Sequence, residues 1–460
     1  MLTERVEGSL RTNLRIADAR AALMQAQALR DAAAAALWPT LSLSASTQRQ
    51  QGGSGHAAQP AEALNTAGLT ASWWPDLSGD QRLGVAASDA MALAEQATWG
   101  EVKLAVASEV ALTYVALRSG QARLAIANAH LATQMKTLQI TRWREQAGLL
   151  TRLDIEQARS AAEQTRALLP VLQTGLSQSA HALAVLGGQP PHWRPGIAPK
   201  KCINNEQTNE YSCAAEPFLF EFLAPANVHL PPDAQVAPLD PGWGQVPHAP
   251  AEAALALPAQ TLLRHPSVAA AGHQLEAATA RLDQAAMAGW PTAQLTGTLG
   301  WRGISVGDLG SGSSLVRSLL LNIGLPLLDG GSRHARQRAE HAAWTRAHKA
   351  YQSAVLRVLN DVEDQLAALR GDRDRLHSLL AAADAATAAA ALARQRYESG
   401  LADVQAVLET QRVQLMAQDN AATAQAAVSA DQIRLFRALG GGWTPNPDPD
   451  GLAPLASGKP

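Results

Sequence analysis

The strongest constraint on this chain is that its sequence is written twice. Val110, Leu117, Leu124, Leu131 and Leu138 place an apolar residue at every seventh position, and Val362, Leu369, Leu376, Ala383 and Ala390 repeat the pattern 252 residues later. The offset holds at other landmarks. Trp38-Pro39 returns as Trp290-Pro291, Gly79 as Gly331, Ala116-Leu117-Arg118 as Ala368-Leu369-Arg370, and Gly148-Leu149 as Gly400-Leu401. A constant offset marks a tandem duplication, and a seven-residue apolar period marks a coiled-coil seam with a left-handed supercoil. Whatever the fold, it holds two similar halves, each built on a long helix.

In the first half, Leu2 to Leu37 reads as one helix, with Leu10, Leu14, Ala17, Ala21 and Ala28 on one face. Trp38-Pro39 ends it, because proline disfavours the helical conformation in the residue before it. The period then falls to two: Leu41, Leu43 and Ala45 alternate with serines, and Leu69, Ala71 and Trp73 alternate with Gly68, Thr70 and Ser72. These read as two strands joined by the Gly-rich loop at Gly52-Gly53-Ser54-Gly55. After Pro75-Asp76-Leu77-Ser78-Gly79, a helix is expected from about Gln81 to Gln146, on the order of 100 Å long at ~1.5 Å per residue. Gly148 turns the chain, and a second helix returns from Arg152 to Leu186.

The second half repeats this plan. A helix is expected from Ala259 to Gly289. Strands follow on Ala293, Leu295, Leu299 and Trp301 and on Leu319, Leu321, Ile323 and Leu325. A long helix then runs to Glu398, and Val404 to Leu439 return after Gly400. The domain reading is a first repeat over 1–186, a connector over 187–258, a second repeat over 259–443 and a disordered tail over 444–460. The connector holds twelve of the 25 prolines between Pro190 and Pro250, and both cysteines, Cys202 and Cys213, and no regular helix is expected at that proline density.

Composition narrows the function. Apolar residues are 47% of the chain but aromatics only 4%, so the core is one of closely packed small side chains. A net charge of −2 argues against nucleic acid as a partner. No run of about 18 apolar residues was found, so no transmembrane helix is expected.

The strands are the informative feature. Each has one apolar side and one small polar side, over the ~9–11 residues that a tilted strand needs to cross a bilayer. One chain offers only four. Open edges in lipid leave backbone groups unpaired at several kcal/mol each, so strands that span a membrane require an oligomer to close the barrel. Periodicity alone leaves open a soluble coiled-coil protein bearing a small sandwich, and it does not choose the number of copies.

The segment Leu257-Pro258…Leu262-Leu263-Arg264-His265-Pro266-Ser267-Val268…Gln274-Leu275-Glu276-Ala277-Ala278-Thr279-Ala280-Arg281 resembles the start of the second repeat in TolC-like outer membrane factors, particularly the NodT-type efflux proteins. So do Leu328-Asp329-Gly330-Gly331, Arg396-Tyr397-Glu398-Ser399-Gly400, and Gly148-Leu149…Leu153-Asp154-Ile155-Glu156-Gln157-Ala158-Arg159. The resemblance implies an α+β, mainly α fold: a tandem-repeat helix–hairpin–helix protomer. Its homotrimer would form a 12-stranded β-barrel among outer membrane lipids and a 12-helix tunnel through the periplasm. It also implies partners, a periplasmic adaptor (membrane fusion) protein and an inner-membrane transporter, and a passive exit duct for small molecules rather than an enzyme. A protein-secretion duct of the same fold and a truncated or soluble relative without channel activity stay as alternatives.

In that family the turns at Gly148 and Gly400 form the periplasmic mouth. By position from the turn glycine, Asp154, Tyr397 and Glu409 match gate and constriction residues. Ala402 and Ala406 depart from the pattern where an arginine and a second acidic ring can sit. In an oxidising periplasm Cys202 and Cys213 would close a short disulfide loop; in cytosol they would be free thiols. No cofactor or metal is expected. Val306-Gly307-Asp308-Leu309-Gly310-Ser311-Gly312 lacks the lysine and the strand-to-helix context of a phosphate loop, and His334 and His341 sit among arginines as solvated surface. Six unclustered methionines argue weakly against a copper conduit. Family members carry a signal peptide, often with a lipidated cysteine, whereas Met1 here already lies near the first helix. The expectation is therefore an internal start or a truncated gene.

Overall fold

The computed structural model describes residues 2–50, 62–191, 203–205, 210–212, 245–247, 265–303, 315–441 and 443. The elements in chain order are α1 (Leu2–Thr12), α2 (Leu14–Ala35), β1 (Thr40–Gln50), β2 (Glu62–Trp73), α3 (Asp80–Gln146) and α4 (Arg152–Leu186). After them come β3 (Ile203–Asn205), β4 (Glu210–Ser212), α5 (Pro266–Met287), β5 (Thr292–Gly303), β6 (Leu315–Gly324), α6 (Ser332–Glu398) and α7 (Val404–Ala438). The duplication reaches the element boundaries: α5, α6 and α7 begin and end 252 residues after α2, α3 and α4. Both long helices are 67 residues. Of their ten heptad residues, seven are buried and Leu117, Leu131 and Leu376 are half-buried, as a helix–helix seam requires.

Packing divides the chain differently from sequence. One compact unit comprises Met1–Asn13, Val106–Ala254 and Gln365–Leu435; the other comprises Leu14–Ala105, Leu255–Asp364 and Phe436–Pro460. Each draws on both halves. The first holds α1, α4, α7 and the C-terminal parts of α3 and α6. The second holds the large sheet, α2, α5 and the N-terminal parts of α3 and α6. Buried alanines such as Ala94, Ala97, Ala158, Ala162 and Ala424 let helices within each unit approach closely.

The sheet is antiparallel throughout, in the order β1-β2-β5-β6. Its register sorts the side chains. Directly paired residues share a face, so Leu41 lies in one row with Ala71, Gly297 and Leu319, and Leu43 with Leu69, Leu299 and Arg317. The other face carries Ser42, Thr70, Thr298 and Ser318 in a row, with Ser46–Thr66 and Thr298–Ser318 hydroxyl contacts across strands. Exceptions fall on both faces: Thr47, Asn65 and Arg317 on the apolar one, Leu64, Val316 and Leu320 on the polar one. The apolar side is uncovered: Leu41, Leu43, Leu69, Leu299, Trp301, Leu319, Leu321 and Ile323 are 40–78% exposed. β1 and β6 are the sheet edges.

Four features differ from the sequence reading. The first helix is two, because Asn13 leaves the helical path to donate from Nδ2 to Leu186 O at 2.9 Å, beside a bond from Thr12 Oγ1 to Gly187 O. A tertiary carbonyl outbids the local ladder there. The helix expected from Ala259 begins at Pro266, since His265 is extended (φ −61°, ψ 132°) and caps it by accepting from Ser267 N–H. Burial holds the His265 imidazole below its ordinary pKa, which suits it as an acceptor. The connector, read as irregular, contains the short antiparallel ladder β3–β4. Finally, α6 does contain an 18-residue window long and apolar enough to cross a membrane by composition. It carries an alanine-rich stretch from Leu379 to Ala393, only 17% of the window is buried, and alanine reaches that composition without bulk. Cys202, Cys213, the loops at 52–55 and 306–312 and the tail from Thr444 lie outside the described residues.

β2 and β5 join the two halves, and glycine sets their spacing. Gly68 faces Gly300, and a Cβ at Gly300 would lie 2.6 Å from Ala67 O and 2.7 Å from Gly68 Cα. Gly300→Val is therefore expected to lower stability by about 1–3 kcal/mol, read as a lower urea midpoint. Gly324→Ala, whose Cβ would meet nothing closer than Thr292 Oγ1 at 3.6 Å, is expected to leave the midpoint nearly unchanged.

Candidate functional site

The turns after α3 and α6 are built alike. Gly148 (φ +76°) and Gly400 (φ +74°) take the left-handed conformation that lets a helix end and reverse. Leu149 N–H donates to Arg144 O and Leu401 N–H to Arg396 O, each at 2.8 Å. Leu149 and Leu401 are each 72% exposed at the tips.

The returning helices are capped by different residues. Before α4, the Thr151 N–H and hydroxyl both donate to Asp154 Oδ2, at 2.8 and 2.7 Å. At the start of α7 the corresponding acid is Ala406, and Asp403 substitutes: its Oδ1 accepts from Ala406 N–H at 2.9 Å. The departure at Ala406 is thus matched by a shift of the capping carboxylate to the helix boundary itself, where an anion also meets the positive end of the helix dipole.

The three sequence-predicted residues sit in separate environments. Asp154 is half-buried and occupied by Thr151, whose hydroxyl and N–H hold its carboxyl below the usual range. Glu409 is exposed on α7 and takes a fork from Arg412, with Nη2–Oε1 at 2.6 Å and Nε–Oε2 at 3.0 Å; that pairing likewise lowers its pKa. Tyr397 is 2% exposed and packs with Val404, Val407, Ile140, Leu150 and Leu408. Its hydroxyl lies 3.5 Å from Thr141 Oγ1. No hydrogen bond or ion pair among the described residues joins Asp154, Tyr397 and Glu409 to one another.

The sequence reading overlooked a second stripe on α3. Arg123, His130, Thr137 and Arg144 also recur every seventh position, one residue before the apolar seam. Each reaches a neighbour. Arg123 grips Asp419 of α7 in a fork, at 2.6 and 3.0 Å, and His130 Nε2 lies 2.8 Å from Gln418 Oε1. Gln411 Nε2 donates to Thr137 Oγ1 at 3.1 Å. Arg144 Nη2 donates to Tyr397 O and Glu398 O at 3.0 and 3.2 Å, and its guanidinium carbon lies 4.1 Å from the Tyr397 ring centre. The signal was present in the heptad spacing, but a polar stripe beside an apolar one reads from sequence as a solvated flank. Beside these contacts α3, α4 and α7 bound a groove of about 760 Å³, with Leu168, Leu172 and Met416 among its apolar walls and Arg123, Gln164 and Glu409 among its polar ones. Among the described residues no group of three or more His, Cys, Asp and Glu is placed to hold a metal ion.

The outer membrane efflux protein family model matches residues 6–189 and 257–441, and the chain belongs to that family. Among its relatives is the toluene efflux pump outer membrane protein TtgF of Pseudomonas putida, 26% identical over 351 residues, which are 76% of this chain and 64% of TtgF. The chain thus spans somewhat less than two thirds of that relative. The pyoverdine export outer membrane protein OpmQ of Pseudomonas aeruginosa is 28% identical over 445 residues, covering 94% of this chain and 83% of OpmQ. The solved outer-membrane channel OprN superposes with a TM-score of 0.80 at 28% identity, over 96% of this chain and 90% of that one. The fold is therefore the TolC-like channel fold that the resemblance implied.

The cap at Asp154 has a definite pH signature. Its folded-state pKa lies below the ordinary carboxylate value, so its contribution is fully present above that ordinary value and is lost as pH falls through the folded one. Asp154→Ala is expected to cost about 0.3–1.5 kcal/mol at pH 7, as caps do. In paired urea melts the gap from wild type should narrow as pH is lowered through and below the ordinary carboxylate range.

Proposed function

We propose that the chain is the outer membrane duct of a tripartite efflux system, a passive exit for small molecules driven by an inner-membrane pump. The observation that carries this reading is the register of the four-stranded sheet. It gathers most of the apolar side chains of all four strands on one exposed face and most of the serines and threonines on the other. Such a face suits lipid on one side and water on the other. The open edges β1 and β6 suit pairing with further copies, since a bilayer does not satisfy free backbone groups. Three copies give a twelve-stranded closure, the assembly the family resemblance implies.

The two repeats, 1–186 and 259–443, supply equivalent hairpins and helix pairs to that assembly, with 187–258 as connector. The turns at Gly148 and Gly400 form the periplasmic mouth, where Tyr397 anchors the packing. Three copies of Asp154 would set a negative field there that favours cations, while each Glu409 is offset by its Arg412 partner. A periplasmic adaptor protein suits the groove between α3, α4 and α7, whose apolar walls and polar rim match an amphipathic helix.

The test is single-channel recording of protein purified from the outer membrane fraction. Discrete steps from a three-chain species are expected; a species that inserts without conducting would overturn the duct. Leu43→Arg on the lipid face should cost about 2–4 kcal/mol in the membrane and abolish assembly. Ser44→Arg on the opposite face should assemble and shift ion selectivity toward anions.

A further inference from the structure

We infer that Asp431 of α7 and Asp372 of α6 form a proton-binding site, in which one proton held between the two carboxyl groups ties the helices together. Both residues lie in the compact unit that holds α4 and α7, and the site does not depend on the duct reading.

Asp431 is 3% exposed, a rare place for a carboxyl group. Its Oδ1 accepts from Arg434 Nη1 at 2.8 Å, three residues on along α7. Its Oδ2 is buried and has no hydrogen-bond partner among the described residues. An ionised Asp431 would therefore hold part of its charge out of water with no donor, which is costly. What faces it is a second acid, since Asp372 lies within hydrogen-bonding reach. Two carboxylates repel, and neither can donate. One proton resolves the mismatch: Asp431 Oδ2–H donates to the Asp372 carboxylate. The Asp372 side chain is 26% exposed, so water helps it to keep the remaining charge.

The surrounding charges set the sign. Arg434 acts on Asp431 from its own helix and Asp372 acts from α6, with Arg375 behind Asp372 at 3.8 Å. Burial and the neighbouring acid raise the Asp431 pKa above the ordinary carboxylate value, against the pull of Arg434. A raised folded-state pKa makes the contribution of the pair fully present below the ordinary value and lost as pH rises through the folded one. A metal ion suits the pair less well. Arg434 already holds Oδ1, and no third His, Cys, Asp or Glu joins the two acids among the described residues. The duplication supplies an internal comparison. The positions 252 residues earlier hold Gly120 and Ser179, with Ala182 in place of Arg434. There a Cβ on Gly120 would lie 2.9 Å from Leu176 Cδ2, so close apolar packing serves where the second half places its acids. The helix frame does not require the pair, which is an addition to it.

The experiment uses the full chain purified in detergent, as wild type, Asp431→Asn and Asp372→Asn. Two readouts are followed from about pH 5 to about pH 8. One is the infrared band of protonated carboxyl groups. The other is amide exchange protection over residues 365–376 and 425–437, corrected for the intrinsic pH dependence of exchange. Wild type is expected to lose a carboxyl band and about tenfold of its protection as pH rises, the scale of one charge-assisted hydrogen bond. Asp431→Asn keeps a donor on Asp372 at every pH, so it should lack that band and hold its protection throughout. Asp372→Asn donates to an ionised Asp431 and should behave alike. A band and a pH slope unchanged in both variants would overturn the site, as would wild-type protection that stays flat. Recovery of the acid-side protection by magnesium ions at the alkaline end would also overturn it, because a metal would then be the ligand. The wild-type exchange titration reads both segments directly, so a variant that fails to fold leaves the test decisive.

Discussion

Backbone hydrogen bonding at the rim of one small sheet governs what this chain can be. Four strands pair in order, and β1 and β6 are left with rows of N–H and C=O groups facing outward. In water such edges invite indiscriminate pairing; in lipid they are prohibitively costly. The apolar face rules out water as a comfortable surrounding, because Leu43 and Leu319 are each more than three-quarters exposed. Closure by further copies removes both problems at once. The rest of the protomer follows as a means of holding the two hairpins in one register, which the glycine pair Gly68 and Gly300 permits by letting β2 and β5 approach closely.

Duplication gives this architecture its symmetry, and divergence places the differences that matter. The helices and both turn glycines keep the 252-residue offset, since helix length and reversal geometry are set by the seam and by the left-handed turn. Individual polar residues do not keep their roles. Arg118 is 1% exposed and donates to Tyr114 and Gln121, while its counterpart Arg370 is exposed. Thr151 with Asp154 caps α4, while Asp403 alone caps α7. The two halves thus share backbone geometry and differ in which side chains reach across. That is what lets one half act as a frame for the other.

Most of the architecture was legible in the sequence because it is written in periods. The seven-residue spacing gave the long helices, the two-residue alternation gave the strands, and glycine marked the reversals. Where a tertiary partner decides, the sequence was silent. Asn13 looks like an ordinary helix-surface residue until Leu186 O arrives, and His265 looks helical until its ring is buried and accepts from Ser267. The resemblance directed attention to Asp154, Tyr397 and Glu409, and the structure places these in three local settings. Arg144, His130 and Arg123 escaped notice because charge beside an apolar seam usually means solvent. Their partners lie nearly three hundred residues away for Arg123 and His130, beyond any local pattern.

Two adjacent stripes of α3 hold their neighbours by different means. The apolar heptads, Val110 and Leu138 among them, are buried where the helices should stay together. One position earlier, the contacts are polar, few and separately breakable. An entirely apolar interface would have to expose its surface to water as it parted, at a cost growing with area. A fully satisfied polar interface would lose every bond it held. A polar stripe whose neighbours Gln134 and Gln411 leave an Oε1 each without a partner among the described residues sits between these extremes. At the tip of the helix the contact is again directional, where the single guanidinium of Arg144 meets two carbonyls and a ring.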